Sequence, residues 1–123
     1  MRFKFATIEV KDIEKSFKFY TDVLDLSLVR RFSPREGVEI IFLEDRQGNQ
    51  LELIEEEDVK NYIEARASKV QLGYEVESLE KTMRFLASQS IEIVGGPVDI
   101  QTGRFITIED PDGVRIGLFE ENK

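Results

Sequence analysis

The sequence predicts an α+β fold in which two βαβββ modules form a concave mixed sheet with their helices outside. Three observations favour this fold. The chain contains an internal repeat, each copy opens with an alternating strand followed by an amphipathic helix, and three more extended segments follow each helix. With 123 residues the chain has the length of one domain, so we expect a single domain over residues 1–123.

The repeat is visible in two blocks of sequence. Residues 10–20 (VKDIEKSFKFY) align with residues 76–86 (VESLEKTMRFL) at an offset of 66. Residues 45–55 (DRQGNQLELIE) align with residues 110–120 (DPDGVRIGLFE) at an offset of 65. Because the two blocks keep nearly the same register, they indicate two related halves rather than a chance similarity.

The first module is expected over about residues 1–56, and each of its elements has its own signal. A strand is predicted over 3–10, where apolar and polar residues alternate. Asp12 stands at the N-cap of a helix over about 13–24, whose apolar residues recur every three and four positions. Gly48, in the turn DRQG, supplies a positive φ. The other three strands are expected over about 26–33, 38–44 and 50–55.

The second module, about residues 68–121, repeats this order. Ser78 is the predicted N-cap of its helix, and Gly113 in the turn DPDG corresponds to Gly48. The linker between the modules, about 57–67, is predicted to be exposed and to contain one short helix near 58–66. The last three strands of this module are expected over about 91–94, 104–109 and 114–120.

Side-chain alternation predicts which residues face away from the helices, toward a groove that the two modules share. Leu51 and Leu53 must face the helix, so Glu52 between them faces the groove. A carboxylate there could bind a donor group of a ligand or act as a general base, and the alternative is an exposed carboxylate at the rim of the sheet. Glu52 is therefore the candidate catalytic residue. The candidate ligand-binding residues are Phe5, Thr7, Gln71, Phe105, Gly117 and Phe119.

The composition excludes several kinds of chemistry. The chain has no histidine and no cysteine, so it has no imidazole base, no thiol nucleophile and neither of the common transition-metal ligands. A net charge of −8, with Arg30 and Arg31 as the only adjacent basic pair, argues against a nucleic-acid partner. No apolar run is long enough for a membrane span or a signal peptide, so we expect a cytoplasmic protein without a membrane partner.

Two segments of the sequence resemble a known family. The segment VKDIEKSFKFYTDVLDL after the first strand and the closing DPDGVRIGLFE, within paired βαβββ modules, resemble the vicinal oxygen chelate superfamily. That superfamily includes glyoxalase I, bleomycin-resistance proteins, fosfomycin-resistance enzymes and extradiol dioxygenases. The resemblance covers essentially the whole chain, and it implies a single domain that commonly forms a homodimer.

The resemblance also implies where a metal would bind. In the metal-using members, four groove positions hold His or Glu, and these correspond here to Phe5, Glu52, Gln71 and Gly117. Only Glu52 matches, so no metal or other cofactor is expected and metal-dependent catalysis is not expected. The resemblance therefore implies a glyoxalase/bleomycin-resistance-like protein that binds a small cationic or aromatic molecule in a metal-free groove. The alternatives are a lactoylglutathione lyase-type isomerase or lyase with Glu52 as base, and a pure interaction module.

Overall fold

The computed structural model describes residues 1–58 and 70–123, which fall into two compact units. Each unit contains the order strand, helix and three strands, so the two predicted βαβββ modules are confirmed. The predicted short helix near 58–66 lies almost entirely outside the described residues. The single domain over 1–123 and the groove shared by the modules stay predictions.

The first module is a four-stranded mixed sheet with one helix. Its strand order is β1-β4-β3-β2, with β1 parallel to β4 and the remaining neighbours antiparallel. The elements are β1 (Phe5–Glu9), α1 (Ile13–Asp22), β2 (Ser27–Phe32), β3 (Val38–Glu44) and β4 (Gln50–Glu56).

One face of this sheet packs against α1 and forms the core of the first module. Leu51 and Leu53 of β4 are buried there, as the alternation predicts, and Tyr20 of α1 is fully buried. Burial of each large apolar side chain stabilises the fold by roughly 1.5–3 kcal/mol. The helix begins as predicted, because the Asp12 carboxylate accepts hydrogen bonds from the backbone N–H groups of Glu14 and Lys15.

The second module has the same topology, with strand order β5-β8-β7-β6. Its helix is capped by Ser78, whose hydroxyl accepts a hydrogen bond from the Lys81 N–H at 3.2 Å. Its core includes Leu79 and Leu86 of the helix and Ile106, Ile108 and Ile116 of the central strands. The elements are β5 (Leu72–Glu75), α2 (Leu79–Ser88), β6 (Gly95–Ile100), β7 (Gly103–Glu109) and β8 (Arg115–Glu121).

The two predicted tight turns are confirmed, with Gly48 at φ 86° and Gly113 at φ 85°. An aspartate organises each turn. Asp45 accepts hydrogen bonds from Gln47 and Asn49, and Asp110 accepts them from Asp112 and Val114. Burial raises the pKa of Asp45, but the hydrogen bonds from the Asn49 side chain and from the backbone N–H groups of the turn outweigh it, and the net shift is downward.

The strand predicted over 91–94 is wrong, because β6 comprises Gly95–Ile100 instead. Ile91 and Ile93 are half-buried and Glu92 is exposed, which produces an alternating pattern outside a strand. The position of β6 is set by its pairing with β7, in which Ile100 opposes Gly103 across a short turn. Pro97 is tolerated in β6 because an edge strand does not need every N–H for the sheet.

No helix within residues 1–58 and 70–123 is long and apolar enough to cross a membrane.

Candidate functional site

A row of four side chains crosses the whole sheet of the first module on the face opposite α1. The strand registers pair Arg30 with Phe42, Phe42 with Glu52, and Glu52 with Thr7. Side chains of directly opposed residues lie on the same face of a sheet, so these four side chains are neighbours. Phe5 and Phe32 lie on the same face. We call this surface the Phe42 face, and it consists of Phe5, Thr7, Arg30, Phe32, Phe42 and Glu52.

A short hydrogen bond joins the two polar residues at one end of the row. The Thr7 hydroxyl donates to Oε1 of Glu52 at 2.6 Å. This bond fixes the position of a half-buried carboxylate. Oε2 of Glu52 makes no hydrogen bond with the described residues, so it can accept one from a ligand. The predictions that Glu52 and Thr7 face away from the helix side of the sheet are consistent with this geometry.

Three aromatic rings form the middle of the Phe42 face. Phe5 meets Phe42 edge to face, with ring centroids 5.2 Å apart, and Phe32 lies parallel to Phe42 at 6.5 Å. Phe42 is only 4% exposed and packs with Val38 and Ile40, whereas Phe32 is 39% exposed. A ligand on this face would therefore contact the edges of the cluster, with Phe42 as its buried base.

Arg30 is a candidate site residue that the sequence reasoning missed. Its guanidinium carbon lies 4.1 Å from the Phe42 ring centroid and 5.8 Å from that of Phe32. Arg31, by contrast, pairs with Glu14 and Glu39 on the helix side, and hydrogen bonds from these carboxylates raise its pKa. The sequence signal was present as the Arg30–Arg31 pair. A bulge between Leu28 and Arg30 decides which arginine faces which side.

The equivalent row of the second module has almost no side chains. The repeat offsets place Gly95, Thr107, Gly117 and Gly73 where the first module has Arg30, Phe42, Glu52 and Thr7.

An aromatic ring fills the space that two of these glycines, Gly73 and Gly117, leave. Phe119 stacks on Phe105 with centroids 5.0 Å apart. A Cβ at Gly117 would lie 2.6 Å from Cε2 of Phe119 and 3.2 Å from Nε2 of Gln71, and one at Gly73 would lie 3.6 Å from the ring. Thus the structure gathers the predicted residues into two groups. Phe5, Thr7 and Glu52 lie together in the first module; Gln71, Phe105, Gly117 and Phe119 lie together in the second.

The residues present do not fit the metal of the metal-using relatives. The carboxylate position Gly117 has no side chain, and the Phe119 ring lies where one would begin. Phe5 offers no donor atom, and Gln71 offers only an amide. Residues 1–58 and 70–123 contain no cluster of three or more His, Cys, Asp or Glu side chains suited to a metal ion. The four positions therefore provide one carboxylate and one amide, fewer than the three protein ligands that a catalytic metal site usually has.

The fold is that of a protein built from paired βαβββ modules, and comparison with known sequences assigns the family. Residues 2–118 match the family model of the Glyoxalase/Bleomycin resistance protein/Dioxygenase superfamily, and the chain belongs to that superfamily. No curated protein sequence matches the chain significantly.

Solved structures share the fold at low sequence identity. TnmS3, an antibiotic binding protein from a Streptomyces species, is 18% identical with a TM-score of 0.79, over 99% of this chain and 97% of that chain. A glyoxalase family protein from Bacillus cereus is 20% identical with a TM-score of 0.83, over 100% of this chain and 95% of that chain. A glyoxalase I mutant from Zea mays is 19% identical with a TM-score of 0.81, over 99% of this chain but 46% of that chain. At these identities, the likeness shows the fold alone.

Proposed function

We propose that the protein binds a small aromatic molecule, without a metal, and that the Phe42 face of the first module contacts it. The observation that carries this proposal is the combination of a hydrogen-bonded Thr7–Glu52 pair with the Phe5–Phe42 aromatic contact on one sheet face. Binding sites for small molecules combine apolar walls with a few fixed polar groups, and this face has both. The structural neighbour TnmS3, an antibiotic binding protein, offers a precedent for binding on this fold.

Each residue of the proposed site has a separate role. Phe5 and Phe32 contribute apolar and aromatic contact. Oε2 of Glu52 accepts a hydrogen bond from the ligand, while Thr7 holds the carboxylate in place. We further propose that the stacked rings of Phe105 and Phe119 form an apolar contact surface of their own in the second module. Gln71 and Gly117, which lie beside these rings, complete the proposed set.

Ligand-induced stabilisation tests this function. A panel of two-ring aromatic compounds with hydrogen-bond donors is screened by thermal shift and then titrated. A ligand at 100 times its Kd stabilises the folded state by about 2.7 kcal/mol, which gives a clear rise in Tm. We expect Glu52→Gln to weaken binding by about tenfold, since a hydrogen bond to a charged group contributes roughly 1.5–3 kcal/mol. Phe5→Ala should weaken binding by a similar factor.

Two matched controls separate this site from general effects. Glu109→Gln removes an exposed carboxylate of β7, and Phe85→Ala removes a phenylalanine that is 42% exposed on α2. Both should bind like the wild type. The proposal is contradicted if no compound stabilises the protein, or if Glu52→Gln and Phe5→Ala bind like the two controls. Turnover of a hemithioacetal substrate that disappears in Glu52→Gln would instead support the lyase alternative.

The homodimer and the cytoplasmic location that the sequence analysis expects stay predictions. Light scattering on the purified chain checks the first, because a dimer would have twice the 14.3 kDa mass of the protomer. Fractionation of cells that produce the chain checks the second.

A further inference from the structure

We propose that the ligand of the Phe42 face is an aromatic anion, and that Arg30 recognises its anionic group while Glu52 accepts a hydrogen bond from its other end. This inference rests on the proposed function and adds the chemical class of the ligand. It replaces the cationic ligand that the family resemblance implies with a negatively charged one.

Arg30 lacks the carboxylate partner that most of the other described arginines have. The chain contains 25 acidic and 17 basic residues, so acidic partners are abundant. Arg30 nevertheless makes no ion pair with any carboxylate in residues 1–58 or 70–123. The arginines that do pair within these residues are Arg31, Arg35, Arg46, Arg84 and Arg104.

Arg30 lies over an aromatic ring instead of beside a carboxylate. Its guanidinium carbon lies 4.1 Å from the centroid of Phe42, a buried ring that contacts Phe5 and Phe32. Contact with a ring face uses the flat surface of a guanidinium and leaves N–H donors at its edge. Those donors match the two oxygens of a carboxylate.

The two polar ends of the row are spaced for a two-ring ligand. Arg30 on β2 and Glu52 on β4 are separated by one strand, so their backbones are about 10 Å apart. Phe42 lies between them, but its ring is only 4% exposed and carries the Arg30 guanidinium. A fused two-ring system with an anionic group at one end and a hydroxyl at the other matches this spacing of a hydrogen-bond donor and a hydrogen-bond acceptor.

The equivalent row of the second module supports the assignment to the first. Gly95 stands where Arg30 does and Gly117 where Glu52 does, so the second module has neither polar end. The two modules share one backbone plan, and the pair of charges is found on one of them. A structural requirement of the fold would apply to both modules, whereas a ligand requirement applies only where the ligand binds.

Four related probes test this inference by fluorescence titration of the full chain. They are 6-hydroxy-2-naphthoate, its uncharged carboxamide, the corresponding aminomethyl cation, and 2-naphthoate, which lacks the hydroxyl. We expect the hydroxynaphthoate to bind about tenfold more tightly than the carboxamide or the cation, and more tightly than 2-naphthoate. In Arg30→Gln the advantage of the carboxylate over the carboxamide should disappear, because carboxylate binding weakens about tenfold more than carboxamide binding does. Arg46→Gln, which removes a paired and 85% exposed arginine, should keep the advantage.

Failure of this inference is distinguishable from failure of the proposed function. If the carboxamide or the cation binds as tightly as the carboxylate, the face binds aromatic molecules but the anion assignment is overturned. If Arg30→Gln keeps the preference for the carboxylate, Arg30 is not the anion receptor and the inference is overturned in the same way. If none of the four probes binds while another compound of the aromatic panel does, this inference alone is overturned; if no compound of either set binds, the proposed function itself is contradicted.

Discussion

The Glu120 carboxylate joins the last strand of the second module to its helix. Oε1 accepts a hydrogen bond from the backbone N–H of Leu79 at 2.9 Å, and Oε2 accepts one from Nε of Arg104 at 3.2 Å. Glu55 does the same in the first module, accepting from the N–H of Ile13 at 3.0 Å. Both carboxylates satisfy an N–H at a helix N-terminus that has no partner within the helix.

The hydrogen bond from Leu79 and the neighbouring Arg104 lower the pKa of Glu120 below its ordinary value of 4.5. Because the pKa is lowered in the folded state, the ionised carboxylate stabilises the protein when the pH is above the ordinary pKa. This stabilisation is lost as the pH falls through the lowered pKa. We expect Glu120→Gln to reduce the urea midpoint at pH 7, with a difference from the wild type that shrinks as the pH falls below 4.5. Urea titrations at several pH values measure this.

The neighbouring Glu121 gives the matched control. It is exposed and ends β8, and Glu121→Gln should leave the urea midpoint at pH 7 unchanged. Equal midpoints for Glu120→Gln and the wild type at pH 7 would contradict the role assigned to this carboxylate.

At the scale of the element, α1 carries one aspartate at each end. Asp12 caps the N-terminus through the N–H groups of Glu14 and Lys15, whereas Asp22 is the last helical residue and is exposed. We expect Asp12→Ala to destabilise the protein by about 1 kcal/mol, because it removes the cap. Asp22→Ala should have no cost, since a negative charge is unfavourable at a helix C-terminus. Thermal or urea unfolding measures both, and a larger loss in Asp22→Ala would contradict this assignment.

The turn into β7 depends on a glycine that permits a close backbone approach. Gly103 has φ 156°, and a Cβ there would lie 2.0 Å from the backbone oxygen of Glu120. Gly48 has φ 86°, but a Cβ there would meet nothing within 4 Å.

Gly48→Ala should therefore cost about 1 kcal/mol from backbone conformation alone. Gly103→Ala should cost several times more, since β7 and β8 must move apart. Urea unfolding compares the two variants. An equal loss in both would mean that the close approach at Gly103 does not limit the stability of this sheet.

At the scale of the whole molecule, duplication has given two modules with one topology and different surfaces. In the first, the row across the sheet carries Arg30, Phe42, Glu52 and Thr7. In the second, glycines occupy three of the four equivalent positions, and two of them, Gly73 and Gly117, make room for the Phe119 ring. The two modules have the same topology, so the difference lies in the side chains of this sheet face.

The positions that correspond to the metal ligands of the metal-using relatives lie in both modules, and we expect them to bind no metal ion. Untagged protein incubated with Ni²⁺, Zn²⁺ or Co²⁺ and then desalted should retain far less than one equivalent, and its Tm should not change. The reason is that Phe5, Gln71 and Gly117 leave Glu52 without the two further donors that a metal site needs. Elemental analysis measures the retained metal. A stoichiometric ion that is lost in Glu52→Gln would contradict this prediction.

Much of this molecule follows from local signals in the sequence. The repeat predicted two βαβββ modules, Asp12 and Ser78 predicted the starts of both helices, and Gly48 and Gly113 predicted two turns. The helix caps and turns depend on a few neighbouring residues, and the modules depend on the sequence repeat, so both can be recognised from the sequence alone. The Glu52 side of β4 followed in the same way, because Leu51 and Leu53 had to be buried.

Features at the sheet edges depended on pairing between distant residues. The strand predicted over 91–94 was wrong because pairing with β7 places β6 at Gly95–Ile100. Arg30 joined the Phe42 face because a bulge in the edge strand β2 sets which of two adjacent arginines faces which side. An edge strand has one partner and an exposed surface, so its own side chains constrain its register weakly.

The lack of histidine and cysteine, and with it the loss of the usual metal ligands, was determined by the sequence alone. Which groups occupy the vacated positions was decided only by the tertiary structure. The ring of Phe119 lies over Gly117, and the guanidinium of Arg30 lies over Phe42. Composition fixes which functional groups a chain has, but their neighbours depend on strand register and side-chain packing, which distant parts of the chain set together.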